Sequence, residues 1–444
     1  MDVKAKERML KYRWLVLGIV CLAYFLVYFH RTTGGAISSE LQDYYGVGAA
    51  AVALLASAYL YAYTLMQIPS GILSDKVGPR RSVTIFVLII AIGSLVSAYS
   101  ANTGDFNLMV AGKFIIGIGA AVVSIPAMKI MAVWFRTDEF GTMNGILLMV
   151  GNIGGIAAAT PMIIMMDSLG LEYTYIVLAA VTAVISACCW LIVRDHPEDM
   201  GFPSIEEIEA EDGYKHVDRN AEESIPVREA LRMIFSDVRG FWPLAIWFFI
   251  MYGSIMVWQA SQAGTYYQVA YGFSLHEAGL MVTMVGVGML VGAPCMGLLS
   301  DRVFHSRRRV IVFGTICYLM VWLFIWATCG TDILQVFWFQ AIVNFLLGFF
   351  MAVFVDAYAQ VKELFPISMS GMSTATLNLF PFAGGALLVT LSGFLVSDST
   401  VAQFQDLWTI LVVLLVAATV SIIISRENAD AMERWARAVP VCHI

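Results

Sequence analysis

The stretch from Gly71 to Arg81 reads GILSDKVGPRR, and its first five letters have a near copy in GLLSD at 297–301. Basic residues follow both copies, as Arg80 and Arg81 after the first and as a run of three arginines after the second. Four more residues recur at one constant offset, Phe135, Gly141, Gly154 and Gly155 matching Phe365, Gly371, Gly384 and Gly385. A repeat of about half the chain predicts two similar halves, as in transporters whose site lies at the repeat interface.

The composition places these halves in a membrane. The chain has 444 residues, of which 59% are hydrophobic and 13% charged, and its mean hydropathy is +0.78. Soluble domains are about 45–50% apolar and about 25% charged. The first apolar segment has full span length and no cleavage pattern after it, so we expect no removed signal peptide. Seven cysteines form no CxxC pair, and we interpret them as reduced, small apolar residues.

Twelve apolar segments are long enough to cross a bilayer. They are 14–41, 47–74, 82–101, 105–134, 138–166, 172–193, 240–270, 275–300, 309–329, 332–362, 368–396 and 403–425. The predicted fold is an all-α membrane protein with twelve transmembrane helices in two six-helix, pseudo-symmetric halves. The predicted domains are 1–193, a cytoplasmic connector at 194–239 and 240–444. We expect the acidic start of the connector to be flexible and solvated, and its end to form a short amphipathic helix on the membrane surface.

Positive charges predict the orientation. With the N-terminus inside, the loops that carry Lys and Arg all fall on the cytoplasmic side, whereas the opposite loops carry acidic residues and neither Lys nor Arg. This asymmetry predicts a multi-pass protein of the cell (inner) membrane with both termini in the cytoplasm.

At the Gly71–Arg81 stretch the chain resembles the major facilitator superfamily. Gly71, Asp75, Gly78, Arg80 and Arg81 match its signature loop, and Gly297, Asp301 and the arginines that follow match a weaker second copy. The resemblance covers essentially the whole chain. It implies an alternating-access carrier with a central cavity, and it implies that the residues of this loop act in conformational gating.

Arg31 is the charged residue on which the predicted function depends. It lies about 25 Å along a helix from Trp14, still within the first span. A guanidinium there costs at least about 2.5–3.5 kcal/mol and cannot lose its proton. No Asp or Glu stands near mid-depth in the first half, so a bound anion is favoured over a structural ion pair. The span also resembles the organic-anion branches of the superfamily, the anion–cation symporters and organophosphate antiporters, in which an arginine at a comparable place binds a carboxylate or phosphate.

Lys113 is predicted at a depth similar to that of Arg31. Its surroundings, GKFIIGIGAA, resemble the fourth-span motif of the superfamily, with Lys in place of the usual Arg. The family associates this position with proton transfer or substrate binding. The alternative is a lysine that extends outward to the lipid headgroups.

Two residues are candidates for coupling to protons. His30 stands where the symporters commonly have Asp, and Ala120 stands where they have Glu. The imidazole of His30 is then either a proton carrier or a group that forms a hydrogen bond between helices. Asp356 is the one acid deep in the second half, close to Lys362 and Glu363, where a gate or structural pair is the alternative to a role in coupling.

Polar and aromatic residues within the spans complete the predicted substrate site. Those that we select are Tyr28, Tyr59, Gln259, Gln262, Tyr266 and Asn378. The run WQASQAGTYYQ at 258–268 is the most polar of the second half, although aromatic residues at helical spacing also serve packing.

Together these features predict a secondary active transporter of a small organic anion (carboxylate, sugar acid or phosphate ester), proton-coupled or exchanging. Alternatives are a nitrate/nitrite carrier, a short-peptide carrier, a multidrug/proton antiporter and a non-transporting sensor. The sequence contains no nucleotide-binding loop, no metal-ligand cluster and no nucleophile–base spacing, so we do not expect an enzyme. We expect no cofactor, no metal and no nucleic-acid partner. The expected partners are the substrate, a coupling proton and the lipid bilayer, and we expect a monomer.

Overall fold

A computed structural model describes residues 3–136, 139–158, 160–211, 227–331, 336–366 and 369–426. The helices of the first half of the chain are α1 Val3–Ala36, α2 Ser38–Tyr45, α3 Ala49–Val77, α4 Pro79–Thr103, α5 Phe106–Trp134, α6 Phe140–Ala157 and α7 Thr160–Ile192. Two short helices of the connector follow, α8 Ile205–Glu211 and α9 Val227–Ser236. The remaining helices are α10 Phe241–Met256, α11 Ala263–Tyr271, α12 Leu275–Leu298, α13 Arg307–Ala327, α14 Phe337–Met351, α15 Phe354–Leu364, α16 Ser370–Leu395 and α17 Val401–Ile424.

Within these described residues, eleven helical segments are long and apolar enough to cross a membrane, and Thr142–Ala157 is a shorter apolar helix. The helix α7 is interrupted at Gly170, whose φ of 79° lies in the left-handed region that favours glycine. The break at Gly170 separates the end of the predicted fifth span from the sixth. The fold class predicted from the sequence, a twelve-span helical membrane protein, is therefore confirmed.

Several helices begin where the sequence supplies a hydrogen-bond acceptor for a free backbone N–H group. The side chain of Asp105 accepts from the N–H of Asn107 at the start of α5. Ser274 and Glu277 form a reciprocal pair of such bonds at the start of α12. These caps stabilise helix starts in places where the loops are acidic.

Two segments of the second half adopt π-helical geometry. The segment Val257–Gln262 joins α10 to α11, and Leu299–Phe304 follows α12. Turns of this kind are rare and occur often at functional sites. The predicted span 240–270 is thus one continuous helical segment with a wider turn in its middle.

The sequence repeat reappears as a repeated helix contact. A Cβ at Gly154 in α6 would come within 2.9 Å of the carbonyl carbon of Phe25 in α1. A Cβ at Gly384 in α16 would come within 2.7 Å of the carbonyl carbon of Phe249 in α10. Glycine at both positions lets two backbones touch, which is how small residues drive helix packing in membranes.

The start of the connector forms two short helical elements. Residues Pro197–Met200 form a short 3₁₀ turn, and α8 buries Ile205 and Ile208. The Nζ atom of Lys6 lies 3.2 Å from Glu211. The prediction of a solvated start is therefore wrong at Ile205 and Ile208 of α8, whereas residues 198–201 are exposed. Residues 212–226 lie outside the described part of the chain.

The chain divides into two compact units. Unit 1 comprises Met1–Gly34, Asp43–Gly46 and Ala58–Arg219, and unit 2 comprises Gly35–Gln42, Val47–Ser57 and Asn220–Ile444. Within unit 1, α4 packs against α5 and α7. Within unit 2, α9 contacts α10 and α16 and buries Ala230 and Ile234, whereas Phe235 is exposed.

Candidate substrate and coupling site

Arg31 lies deep in unit 1 and is only 8% exposed. The central carbon of its guanidinium is 4.3 Å from the ring centroid of Tyr28 and 5.1 Å from that of Tyr63. Arginine stacks readily on aromatic faces, and each such contact is stronger when it is shielded from water. The two rings therefore stabilise the cation and orient its planar group.

More tyrosines surround this arginine. The rings of Tyr24 and Tyr28 lie 5.1 Å apart, and those of Tyr59 and Tyr63 lie 6.0 Å apart. The hydroxyl of Tyr59 donates a 3.3 Å hydrogen bond to the carbonyl of Val27, which fixes α3 against α1. Of the predicted substrate residues, the structure thus brings Arg31 and Tyr28 together, whereas Tyr59 contacts Tyr63, the second ring at Arg31.

Lys113 contacts a different set of groups. It is 3% exposed, and its ammonium donates to the hydroxyl of Thr33 at 2.5 Å and to the carbonyl of His30 at 3.4 Å. The same nitrogen lies 5.8 Å from the ring centroid of Tyr175 in α7. Successive residues of a helix point about 100° apart, so His30 and Arg31 leave α1 in different directions. A shared anion between Arg31 and Lys113 stays a prediction.

His30 is almost fully buried, with 1% of its surface exposed. Within the described part of the chain, neither ring nitrogen has a hydrogen-bond partner. The ring contacts Phe29 edge to face. The alternative in which His30 links two helices by a side-chain hydrogen bond is thus not seen here.

Asp356 belongs to an ionic cluster in unit 2. One of its carboxylate oxygens lies 3.6 Å from Nη1 of Arg307, and the side chain is 2% exposed. Arg307 also donates to the hydroxyl of Ser300 at 2.8 Å and lies 3.4 Å from Glu363. This geometry favours the gate or structural pair over direct substrate contact.

The predicted polar residues of the second half lie within unit 2 in two environments. Gln259 is 6% exposed, and Gln262 donates to the hydroxyl of Ser392 at 3.1 Å. Asn378 accepts a 2.5 Å hydrogen bond from Tyr358. Gln262 and Asn378 thus already form hydrogen bonds within the protein.

Tyr266 lies in a dense aromatic cluster. The centroid of its ring lies 5.5 Å from that of Trp258 and 5.3 Å from those of Tyr267, Phe404 and Trp408. The side chain is 1% exposed. This environment favours the packing role that we left open for Tyr266.

Asp195, which the sequence analysis did not identify, forms a hydrogen bond with the predicted gating loop. A carboxylate oxygen of Asp195 accepts a 2.7 Å hydrogen bond from the backbone N–H of Arg80, at the first turn of α4. Gly78 has a φ of 90°, and a Cβ there would lie 3.1 Å from Asp195. The guanidinium of Arg80 stacks 4.3 Å above the ring of Trp190, whereas Arg81 is exposed.

The remaining gating residues are less fully described. The side chains of Gly71, Asp75 and Asp301 lie outside the described part of the structure. Their predicted part in gating stays a prediction.

Sequence reasoning missed three further residues of interest. Thr33 lies three residues after His30 on the same helix face, but this spacing alone does not indicate its contact with Lys113. Tyr175 lies five residues after Gly170, a depth comparable with that of Lys113. For Asp195 no spacing gave a signal, because its partner belongs to another helix.

Among the residues described, no group of three His, Cys, Asp or Glu side chains could hold a metal ion. The site chemistry therefore rests on two buried cations, a histidine and aromatic rings. Such a set can bind and orient an anion.

The chain is similar to known transport proteins. The probable sulfoacetate transporter SauU of Cupriavidus necator is 26% identical over 311 residues, covering 69% of this chain and 68% of that protein. The hexuronate transporter of Escherichia coli K12 is 23% identical over 424 residues, covering 90% of this chain and 94% of that protein.

A solved structure shows the same fold. The crystal structure of D-xylose-proton symporter aligns with a TM-score of 0.72 at 12% identity, covering 94% of this chain and 99% of that one. The family description "Major Facilitator Superfamily" matches residues 20–269 and 260–434. The chain therefore belongs to the major facilitator superfamily and is a multi-pass membrane transport protein.

Proposed function

We propose that this protein is a secondary active transporter of a small organic anion, in the class of carboxylates, sugar acids and phosphate esters, that works by alternating access. The buried guanidinium of Arg31, stacked on Tyr28 and Tyr63, carries this proposal. Similarity to transporters named for sulfoacetate and hexuronate supports the same class of substrate.

Arg31 is suited to this role by its charge and its shape. A guanidinium presents paired N–H groups that match a carboxylate or phosphate. The tyrosine faces orient the plane of the guanidinium, which favours a paired hydrogen bond to a substrate anion.

Coupling to protons is the second part of the proposal. His30 immediately precedes Arg31 in α1 and is buried, so a proton taken up there adds a positive charge to the helix that carries the substrate arginine. Asp356 acts with Arg307 as a gate that opens and closes during the cycle. We place the protein in the cell membrane as a monomer with both termini in the cytoplasm, since Lys and Arg are confined to one set of loops.

The test uses the purified full-length protein. Thermal-shift screening compares carboxylates, sugar acids, phosphate esters, nitrate, dipeptides and lipophilic cations, because a ligand bound only by the native state raises the melting temperature. We expect one organic-anion class to stabilise the protein, and Arg31→Ala to lose that effect. Arg31→Lys keeps the charge but lacks the paired donors, so we expect a partial loss.

Uptake into proteoliposomes then tests transport and coupling. We expect a pH gradient to drive substrate accumulation in the wild-type protein. We expect His30→Gln to lose this accumulation but to keep the exchange of substrate. Stabilisation by lipophilic cations that is unchanged in Arg31→Ala would overturn the organic-anion assignment.

A further inference from the structure

One end of unit 2 brings together three arginines that are far apart in sequence, Arg239, Arg308 and Arg426. The backbone N–H of Arg426 donates a 2.9 Å hydrogen bond to the carbonyl of Arg239. The guanidinium of Arg308 donates to the carbonyl of Ile423, in the last turn of α17. Because an extended chain advances at most about 3.6 Å per residue, this guanidinium lies within about 11 Å of the Arg426 backbone.

All three arginines stand at the ends of membrane-spanning helices. Arg239 comes two residues before α10, Arg308 is the second residue of α13, and Arg426 comes two residues after α17. Arg239 is exposed, and the other two are half-buried. Long basic side chains near the end of a span extend to the lipid headgroups. The three cations therefore lie at the headgroup level of one leaflet.

These three cations lack an acidic partner among the residues that the structure describes. No carboxylate of those residues lies within ion-pair distance of any of them, whereas the neighbouring Arg307 lies 3.6 Å from Asp356. The Nε atom of Arg308 is buried and has no acceptor in the same part of the chain. The carbonyl groups at the end of α17 supply only about half a negative charge. The cluster thus retains a positive charge that favours an anion.

An apolar stripe on α17 leads away from the arginines. Its residues recur at helical spacing and are between 46% and 67% exposed, namely Val413, Val416, Val420, Ile423 and Ile424. From the first to the last of them the helix rises about 17 Å, which is about half of a hydrocarbon core of about 30 Å. The stripe therefore has the length of one leaflet and ends where the positive charges begin.

We propose that Arg239, Arg308 and Arg426 bind the headgroup phosphate of an anionic phospholipid whose acyl chain lies along the α17 stripe. Guanidinium groups bind phosphate oxygens through paired N–H groups. Clusters of basic residues directly beside a span are typical of sites for anionic lipids. The bound lipid would join the starts of α10 and α13 to the end of α17. This site goes beyond the proposed transport function and does not depend on it.

The chain itself contains a competing occupant. Glu427, Asp430 and Glu433 follow Arg426 in residues 427–444, which lie outside the described part of the structure. Their carboxylates, or free phosphate, would accept from the same guanidinium groups. The α17 stripe favours the lipid, because neither alternative has an apolar part to place on it.

The experiment adds phosphatidylglycerol to the purified full-length protein in a nonionic detergent and measures the melting temperature. Phosphatidylcholine with the same acyl chains is the reference lipid. We expect a saturable rise with phosphatidylglycerol that exceeds the rise with phosphatidylcholine, since binding to the native state stabilises by mass action. Native mass spectrometry should show that phosphatidylglycerol is the lipid retained by the protein.

Three variants locate the effect. Arg308→Gln and Arg426→Gln each remove one charge and keep a polar side chain, so the phosphatidylglycerol concentration at half-effect should rise severalfold. Arg228→Gln removes an exposed arginine of α9 and is the matched control, whose response should equal that of the wild-type protein. Any rise with inorganic phosphate should persist in Arg308→Gln, because the headgroup alone lacks the contact with the stripe.

Each other outcome would overturn the site. Equal rises with the two lipids indicate contact without headgroup selection. A loss in Arg228→Gln as large as that in Arg308→Gln indicates general attraction to a basic surface. A rise with inorganic phosphate that is lost in Arg308→Gln assigns the arginines to a free anion.

A further variant tests the competing carboxylates. It combines Glu427→Gln, Asp430→Asn and Glu433→Gln. A response to phosphatidylglycerol that is absent in the wild-type protein and present in this variant would mean that the chain's own acidic residues occupy the arginines. We expect instead that the variant and the wild-type protein respond alike.

Discussion

The guanidinium of Arg13 donates two hydrogen bonds to the carboxylate of Glu139, of 2.7 Å from Nη1 and 2.9 Å from Nη2. The pair joins α1 to the residues just before α6, and the Arg13 side chain is 9% exposed. A planar, two-bond contact of this kind restricts the relative position of the two helices.

Glu139→Gln should lower the free energy of unfolding by about 1–3 kcal/mol, because it leaves the buried Arg13 without its counter-charge. The melting temperature in detergent measures this loss. The control is Glu211→Gln, since the Lys6–Glu211 pair is more exposed and should contribute less than about 0.5 kcal/mol. Equal effects of the two substitutions would mean that the Arg13–Glu139 pair contributes no more to stability than the exposed Lys6–Glu211 pair.

Gly154→Ala should destabilise the protein by about 1–3 kcal/mol and reduce transport, because the new methyl group overlaps the Phe25 backbone. Gly384→Ala should act alike against Phe249. Gly145 lies in the same helix as Gly154 with open space around it, so Gly145→Ala is the matched control. The idea of a repeated backbone contact fails if all three variants melt at the same temperature.

Asp195→Ala should cost about 0.5–2 kcal/mol, the usual range for a lost helix cap, because the N–H of Arg80 loses its acceptor. Transport should fall as the gating loop loses its attachment. Glu198→Ala changes an exposed acid three residues away and should be neutral. Normal transport and stability in Asp195→Ala would separate this cap from gating.

Tyr28→Leu should weaken substrate affinity by about 5–30-fold, the equivalent of about 1–2 kcal/mol for a shielded cation–π contact. Tyr28→Phe keeps the ring face and should retain most of the affinity. Concentration-dependent uptake gives the Michaelis constants. A loss in Tyr28→Phe as large as that in Tyr28→Leu would assign the effect to the hydroxyl instead of the ring.

The sequence predicted the spans and the repeat well because length, apolarity and glycine spacing are local properties. It also located Arg31 and Lys113 within the spans, although for Lys113 it left open a side chain that extends to the lipid headgroups. Which residues they contact depends on how each helix is rotated about its axis, and a single sequence does not specify this rotation. The contact between Lys113 and Thr33 is of this kind.

Two further differences have similar physical causes. The polar run at 258–268 suggested a substrate-facing helix, yet Tyr266 packs among aromatic rings contributed by distant segments. The acidic connector suggested a solvated chain, yet Ile205 and Ile208 are buried. In both cases tertiary packing outweighed local composition.

The π-helical segment Val257–Gln262 has one last consequence. A π turn holds one residue more than an α turn, so its conversion to α geometry shifts the register of all that follows by one position. Such a shift turns the following side chains by about 100° around the axis. Tyr266 and Tyr267 would then leave their aromatic partners, so the contacts within that cluster oppose a change of register.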